Sequence, residues 1–338
     1  MYIDPVYLTK EQLVVSLTDS SEVDRVDIVE EIATKLTTYQ VAVLRSSSEN
    51  KFNLASLKNV LGEEFPYDSP SSEKVYLQAE TDKNHFLLTY DPRAISYQVA
   101  LNSRGSLSLH TDGTTSSSIT PVFIVFCHLS HPQSGGLTRV AGGARLVHFL
   151  ARYYPEEFLA LCQPNCVISQ IADGSRSKEH TVFEIQDNQI FIYYRNDQTR
   201  QMLPQAGKNY HRVQKGLEII AHYLQQESNY IRLNAYANEV IIIPNQSTLH
   251  GRDEYVDGEG QVRQVQGVMY SGKQANKRLP QGIKPVPGTH LDRLVERLST
   301  LRREEHSSLK LEPKDFAEIL DWESWANLVC RIPYTYQL

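Results

Sequence analysis

The string SLSLHTD, Ser106 to Asp112, sets a histidine and an aspartate at alternate positions at the end of a short apolar-alternating stretch. In a strand, period-two geometry puts His110 and Asp112 on the same face. A neutral imidazole and a carboxylate converging on one point are two thirds of a two-histidine-one-carboxylate triad, which leaves positions open on iron. HxD alone decides nothing, because it also recurs in strands whose histidine faces solvent or bonds to a neighbour.

A second histidine stands in EVIIIPNQSTLHGRDEY, where an apolar strand, Val240 to Pro244, leads through a short polar turn to His250. His110 and His250 are far apart in the chain and meet only if a barrel closes. Most of the 11 histidines stand in polar or helical contexts. His128 and His131, after the apolar run FIVFC, are the rivals. His128 alternates with Phe126 and reads as a packed residue or a support for a ligand. Arg263 follows downstream in GQVRQVQGVMYSG. A guanidinium inside an apolar barrel is costly unless it meets a carboxylate, and its planar fork matches one with two bonds. An arginine on a solvent-facing strand is the plainer alternative.

These residues need a closed β framework. From about Tyr76 to Tyr270 short strands dominate: KVYLQAE, HFLLTY, SYQVAL, SLSLH, PVFIVFCHLS, TVFEI, QIFIYY, EVIIIP and VRQVQGVMYS. Turn signals such as DP, SGG, DN and DGEG separate them. An amphipathic helix over Val23 to Leu36, a strand over Thr38 to Ser46 and a helix over Asn53 to Gly62 precede them. Helical stretches over Ala144 to Cys162 and about Tyr210 to Glu227 interrupt the β region. The pattern predicts a mainly β fold with flanking helices and a double-stranded β-helix (jelly roll, cupin-like) core. Past Gly272 an irregular, proline-bearing connector leads to helices expected at Leu291 to Arg303 and Pro313 to Val329. The jelly-roll domain is therefore placed at residues 1–273. Residues 274–338 are expected to form a helical extension packed on the core, either capping the site or joining copies into a homo-oligomer.

Composition narrows the function. The chain has 338 residues, 41% hydrophobic and 22% charged, with net charge −6 from 34 basic and 40 acidic side chains. Mild acidity argues against nucleic acid as a partner. No run approaches a membrane span, and the first residues lack a secretory pattern, so a cytoplasmic location is expected. Four cysteines are too few for a disulfide scaffold. Cys162 and Cys166 have a metal-compatible spacing but no second pair to complete a zinc site.

Taken together, SLSLHTD, SGGLTRVAGG (Ser134–Gly143), NQSTLHGR (Asn245–Arg252) and the arginine of QVRQV resemble the taurine dioxygenase / clavaminate synthase-like superfamily. The resemblance spans roughly residues 25 to 273. It includes the opening helix that leads into QVAVLRS and the pair Leu61–Gly62. It implies iron(II) held by His110, Asp112 and His250, with 2-oxoglutarate and O2 as co-substrates. Thr138 of the GGxT element and Arg263 would hold the 2-oxoglutarate. Asp112 stands where one branch often has glutamate, and its carboxylate speaks against the related halogenases, which have a small residue there.

The same resemblance implies hydroxylation of an unactivated C–H bond, with desaturation or ring closure using the same residues. FIYYRND (Phe191–Asp197) falls where the family often places substrate contacts. There Arg195 would take a carboxylate and Asp197 an amine of a small amino-acid-like substrate, free or carrier-tethered, although a plain turn explains the string as well. Arg252 would serve a substrate carboxylate or a supporting one, and TTSSS after Asp112 a flexible lid. Two other readings compete, a catalytically silent jelly-roll binding protein and a zinc hydrolase with the same three ligands. Arg263 and GGLT favour the oxygenase, because neither rival needs them.

Overall fold

The computed structural model describes residues 8–48, 51–65, 84–90, 103–114, 121–171, 174, 176–197, 200–207 and 209–304. The strands expected in KVYLQAE and SYQVAL, the TTSSS stretch past Thr114 and the helix expected at Pro313 to Val329 lie outside the described residues.

The chain opens with β1 (Val14–Leu17), helix α1 (Val26–Tyr39) and β2 (Ala42–Ser46), followed by the short α2 (Lys58–Leu61) and β3 (Glu64–Phe65). Then come β4 (His85–Leu88), β5 (Leu107–His110), β6 (Phe123–Ser130), β7 (Ser134–Gly135) and β8 (Thr138–Gly142). Helices α3 (Gly143–Tyr153) and α4 (Pro155–Leu161) lead to an insert of β9 (Val167–Ile171), β10 (Arg176–His180), β11 (Phe183–Gln186), β12 (Gln189–Ile192) and β13 (Arg200–Pro204). After α5 (Tyr210–Gln225) the chain returns through β14 (Ile231–Leu233), β15 (Val240–Pro244), β16 (Thr248–Arg252), β17 (Tyr255–Val256) and β18 (Gln264–Tyr270) to α6 (His290–Glu304).

Two sheets form the jelly roll. The larger runs β1-β2-β15-β6-β18-β3, with β4 also paired to β18, and the smaller runs β14-β8-β16-β5. Side-chain alternation explains how they stack. Val41, Val43, Ile241 and Ile243 point between the sheets onto Val140 and Leu233. Their neighbours Ala42, Leu44, Val240 and Ile242 face the other way, onto Ile28, Val29, Ile32 and Leu36 of α1. A strand buried on both faces reads as a continuous apolar run, as EVIIIP does. Each fully buried Val, Leu or Ile contributes about 1.5–3 kcal/mol.

The smaller sheet is covered on its outside by α3, α4 and α5, where Leu109 and Leu249 join the largest apolar cluster. With those two leucines committed outward, period two turns His110 and His250 inward.

Some local expectations shift. The stretch Ala144 to Cys162 is two helices, because Pro155 cannot continue the first and Tyr154 leaves helical geometry at φ −140, ψ 53. The short polar turn expected between Pro244 and His250 is present at Asn245–Ser247, and Thr248 and Leu249 after it already belong to the buried strand β16 that carries His250. The first helix starts later than Val23 and ends on Gln40 in left-handed geometry. That glutamine's side chain donates to Ser247 O at 2.7 Å and accepts from Ala144 N at 3.1 Å, tying the helix end to the smaller sheet. The described part of the tail is built into the core. Ile283 exchanges two 2.9 Å backbone hydrogen bonds with Ile190, and Leu291, Leu294, Val295 and Leu298 enter the α3–α5 cluster.

Candidate active site

His110 and His250 are direct partners across the antiparallel β5–β16 pair, and their ring centroids lie 4.5 Å apart. Asp112 stands two residues beyond His110, past the end of β5. One carboxylate oxygen is 3.4 Å from His110 Nε2 and the other 3.3 Å from His250 Nε2. The three ligand atoms all fall within 4.8 Å of one another.

The protonation pattern suits a cation. His110 Nδ1 lies 2.7 Å from Ser108 O, and a carbonyl only accepts, so Nδ1 carries the hydrogen and Nε2 the lone pair. That Nε2 is buried and has no hydrogen-bond partner. Burial, reinforced by the charges of Arg195 and His250, pushes the His110 pKa down and keeps the ring neutral. Burial alone would raise the Asp112 carboxyl, but the two histidines facing it hold it well below the usual carboxylate range. Two imidazoles and an ionised carboxylate, with an orphaned nitrogen among them, fit a divalent iron.

A cavity adjoins this cluster. Asp112, His250, Thr138, Arg252 and Arg263 line it together with Phe86, Leu88, Leu107, Phe126 and Met269. Phe126 of the larger sheet reaches His250 of the smaller at 5.6 Å between rings. Arg263 lies one residue before β18 rather than within it. It is 4% exposed, and its Nε and Nη1 have no hydrogen-bond partner. Burial, and then the charge of Arg252, push its pKa down to about 9. Thr138 opens β8 directly opposite Arg252 and is buried.

The other expected residues are engaged with protein. Arg195 donates from Nε to Asp197 at 2.8 Å, and both side chains are almost fully buried. Arg195 Nη1 also lies 3.5 Å from Asp112 Oδ1, while Asp197 accepts from Arg200 N at 3.1 Å. Arg252 Nη2 donates to the carbonyls of Ser103 at 2.8 Å and Gly105 at 2.7 Å. Of the rival histidines, His128 is buried away from the ligand group and stacks on His131 at 6.3 Å.

Two side chains beside the site were not singled out from sequence. The Tyr255 ring lies under both arginines, 5.0 Å from Arg252 Cζ and 5.4 Å from Arg263 Cζ. Asn245 is fully buried and bonded to the main chain of Asp112. An aromatic residue between two arginines, and an asparagine closing an apolar strand, were the available signals.

The fold has known counterparts. An asparagine oxygenase, solved with Fe(II), 2S,3S-3-hydroxyasparagine and succinate, superposes with a TM-score of 0.50 at 16% identity, over 76% of this chain and 93% of its own. A taurine dioxygenase from Burkholderia xenovorans superposes with a TM-score of 0.51 at 12% identity, over 77% of this chain and 87% of its own. No curated protein matches the chain. Among the described residues no helix is long and apolar enough to cross a membrane. Residues 5–269 match the family described as taurine catabolism dioxygenase TauD, TfdA family. The chain belongs to that family and is a dioxygenase that uses iron(II), 2-oxoglutarate and O2.

Proposed function

We propose that His110, Asp112 and His250 hold the iron and that Arg263 and Thr138 hold the far carboxylate of 2-oxoglutarate. The reaction in this reading is hydroxylation of an unactivated C–H bond in a small amino-acid-like molecule, free or carrier-tethered. The observation that carries it is Arg263, a guanidinium with two unpartnered nitrogens, buried in the same cavity as Asp112 and His250. Such a group is expensive to keep without an anion, and a carboxylate supplies a planar match of opposite charge.

Bound iron would supply the oxygen activation that no side chain provides. The chain's own part is positioning. His110 and His250 present imidazole nitrogens, Asp112 supplies the negative charge, and the walls formed by Phe86, Leu88, Phe126 and Met269 exclude water. Arg195 and Asp197 enter the reading as an ion pair. A substrate bearing a carboxylate and an amine matches that pair by exchange, carboxylate to Arg195 and amine to Asp197. An asparagine oxygenase is among the proteins that share the fold, which agrees with an amino-acid-like substrate. Arg252, with Nη2 given to two carbonyls, reads as a clamp on the approach to β5.

The test is anaerobic addition of iron(II) and 2-oxoglutarate, followed by visible absorption, on the wild type and on Arg263→Ala and His250→Ala. A weak charge-transfer band that needs both additions, and is weakened or lost in the variants, is expected. Succinate release then screens amino acids and their carrier-bound forms. An Arg263→Ala protein whose band appears at wild-type 2-oxoglutarate concentrations would remove Arg263 from the co-substrate site.

A further inference from the structure

We propose that Asn245 is a positioning residue for the metal, fixing the Asp112 carboxylate by holding that residue's main chain. The proposal rests on the reading of His110, Asp112 and His250 as the iron site.

Strand β5 ends at His110, so Asp112 has no neighbouring strand to pair with. Asn245 takes that place. Its Oδ1 accepts from Asp112 N at 2.8 Å, and its Nδ2 donates to Asp112 O at 3.1 Å. A side-chain amide carries the same donor and acceptor as a peptide group, so these two bonds reproduce the exchange of a hydrogen-bonded strand pair. The second Nδ2 hydrogen goes to Pro121 O at 2.9 Å, and the backbone N–H of Asn245 to Val122 O at 2.8 Å. One side chain thus fixes both Asp112 and the point where the chain re-enters β6.

The preceding residue is held independently. Thr111 N donates to Tyr194 O at 2.7 Å, and Tyr194 N donates to Thr111 Oγ1 at 3.0 Å. Asp112 is the only ligand of the three outside a strand, and Asn245 replaces the ladder that the two histidines enjoy. Asparagine alone suits the task. Aspartate has no donor for the two carbonyls, glutamine is one methylene too long for a side chain that is 0% exposed, and serine is too short. Asn245 also follows β15 directly and precedes His250 in one segment, so that segment delivers a ligand and the support of another.

The test measures iron(II) binding by anaerobic calorimetry and the 2-oxoglutarate-dependent visible band, with thermal melting alongside. Asn245→Ala should bind iron about 10–100-fold more weakly, the usual effect of losing such a support, and show its band only at correspondingly higher iron. Tyr270→Phe is the control. It loses a buried hydrogen bond to Leu54 O, 3.1 Å long, on the α1 side of the larger sheet, and should lower the melting temperature without changing iron affinity. If Asn245→Ala does not fold, Asn245→Asp decides. It keeps the volume and the acceptor for Asp112 N but lacks both donors, and should also bind iron more weakly than wild type. A folded Asn245 variant with wild-type iron affinity would overturn the proposal and leave the site assignment standing. A wild type that does not bind iron would overturn both.

Discussion

Replacing Arg263 by methionine separates what this residue costs from what it does. Its side chain is almost fully buried, and its pKa is pushed down to about 9, by burial first and then by Arg252. Measured from arginine's ordinary value, and at about 1.4 kcal/mol per pKa unit, the charged form is disfavoured by on the order of 5 kcal/mol before ligand arrives. Part of this is offset by the Tyr255 ring, 5.4 Å from the guanidinium, worth about 0.5–2 kcal/mol, and part by local relaxation. Methionine retains apolar packing in the same space. The ligand-free variant should therefore be more stable than wild type by about 1–3 kcal/mol, in the range seen when buried ions give way to apolar residues. That is a rise of a few degrees in melting temperature.

With iron(II) and 2-oxoglutarate the order should reverse. Co-substrate at a thousand times its dissociation constant adds about 4.1 kcal/mol to the wild type and nothing to a variant that no longer binds it. Anaerobic calorimetric melts of both proteins, with iron throughout and with or without 2-oxoglutarate, read the crossing directly. A variant that melts below wild type without co-substrate refutes the cost assigned to the buried charge. Equal stabilisation of both proteins by 2-oxoglutarate refutes the role.

The pH dependence of stability should carry a signature of His128, whose pKa burial pushes down to about 3. The unfolded chain takes up this proton below about 6.5 while the folded chain stays neutral until about 3. The corresponding stability is complete above pH 6.5 and lost as the pH falls toward 3, about 2 kcal/mol of it by pH 5. His128→Phe should flatten the acid limb of the melting curve by that amount, and an unchanged limb sinks the assignment. Tyr255→Leu, which removes the ring shared by Arg252 and Arg263, should weaken 2-oxoglutarate binding about 3- to 30-fold. Tyr255→Phe keeps the ring and should bind as wild type; equal losses in both variants would assign the effect to the hydroxyl instead.

His110 and Asp112 were legible as candidate ligands because their pairing is written in local periodicity. His110 and Asp112 share a face whenever Ser106 to Asp112 is extended, and their spacing says so without knowledge of any partner strand. The apolar runs of β6, β15 and β18 were legible for a related reason, since each is long and flanked by turn signals. Strand β16 was not. TLHGR has one apolar residue of any size, and it is a strand because β5 and β8 hydrogen-bond it from both sides. Arg195 and Asp197 show the same limit from the polar side. Their types suggested two arms for a substrate, and only the fold reveals that each meets the other at 2.8 Å. Asn245 was equally silent, because an asparagine after a strand usually marks a turn. Its task is set by where β5 stops.

The paired glycines of SGGLT carry this point further. In the sequence they serve as a signpost to Thr138, yet in space they answer to Arg263 and its hairpin. A Cβ on Gly135, at φ +74, would fall 2.2 Å from Glu254 O. One on Gly136, at φ +71, would lie 3.2 Å from Arg263 Cδ, Pro132 Cγ and Tyr255 Cβ alike. Both positions favour glycine by backbone conformation as well as by space. Gly136 N donates to Glu254 O at 2.9 Å, drawing the β17 hairpin against β7, and it is this approach that lays Tyr255 beneath the guanidinium. The arginine that makes the chain's case for a dicarboxylate is thus set in place by glycines more than a hundred residues upstream, ahead of the threonine that shares its cavity.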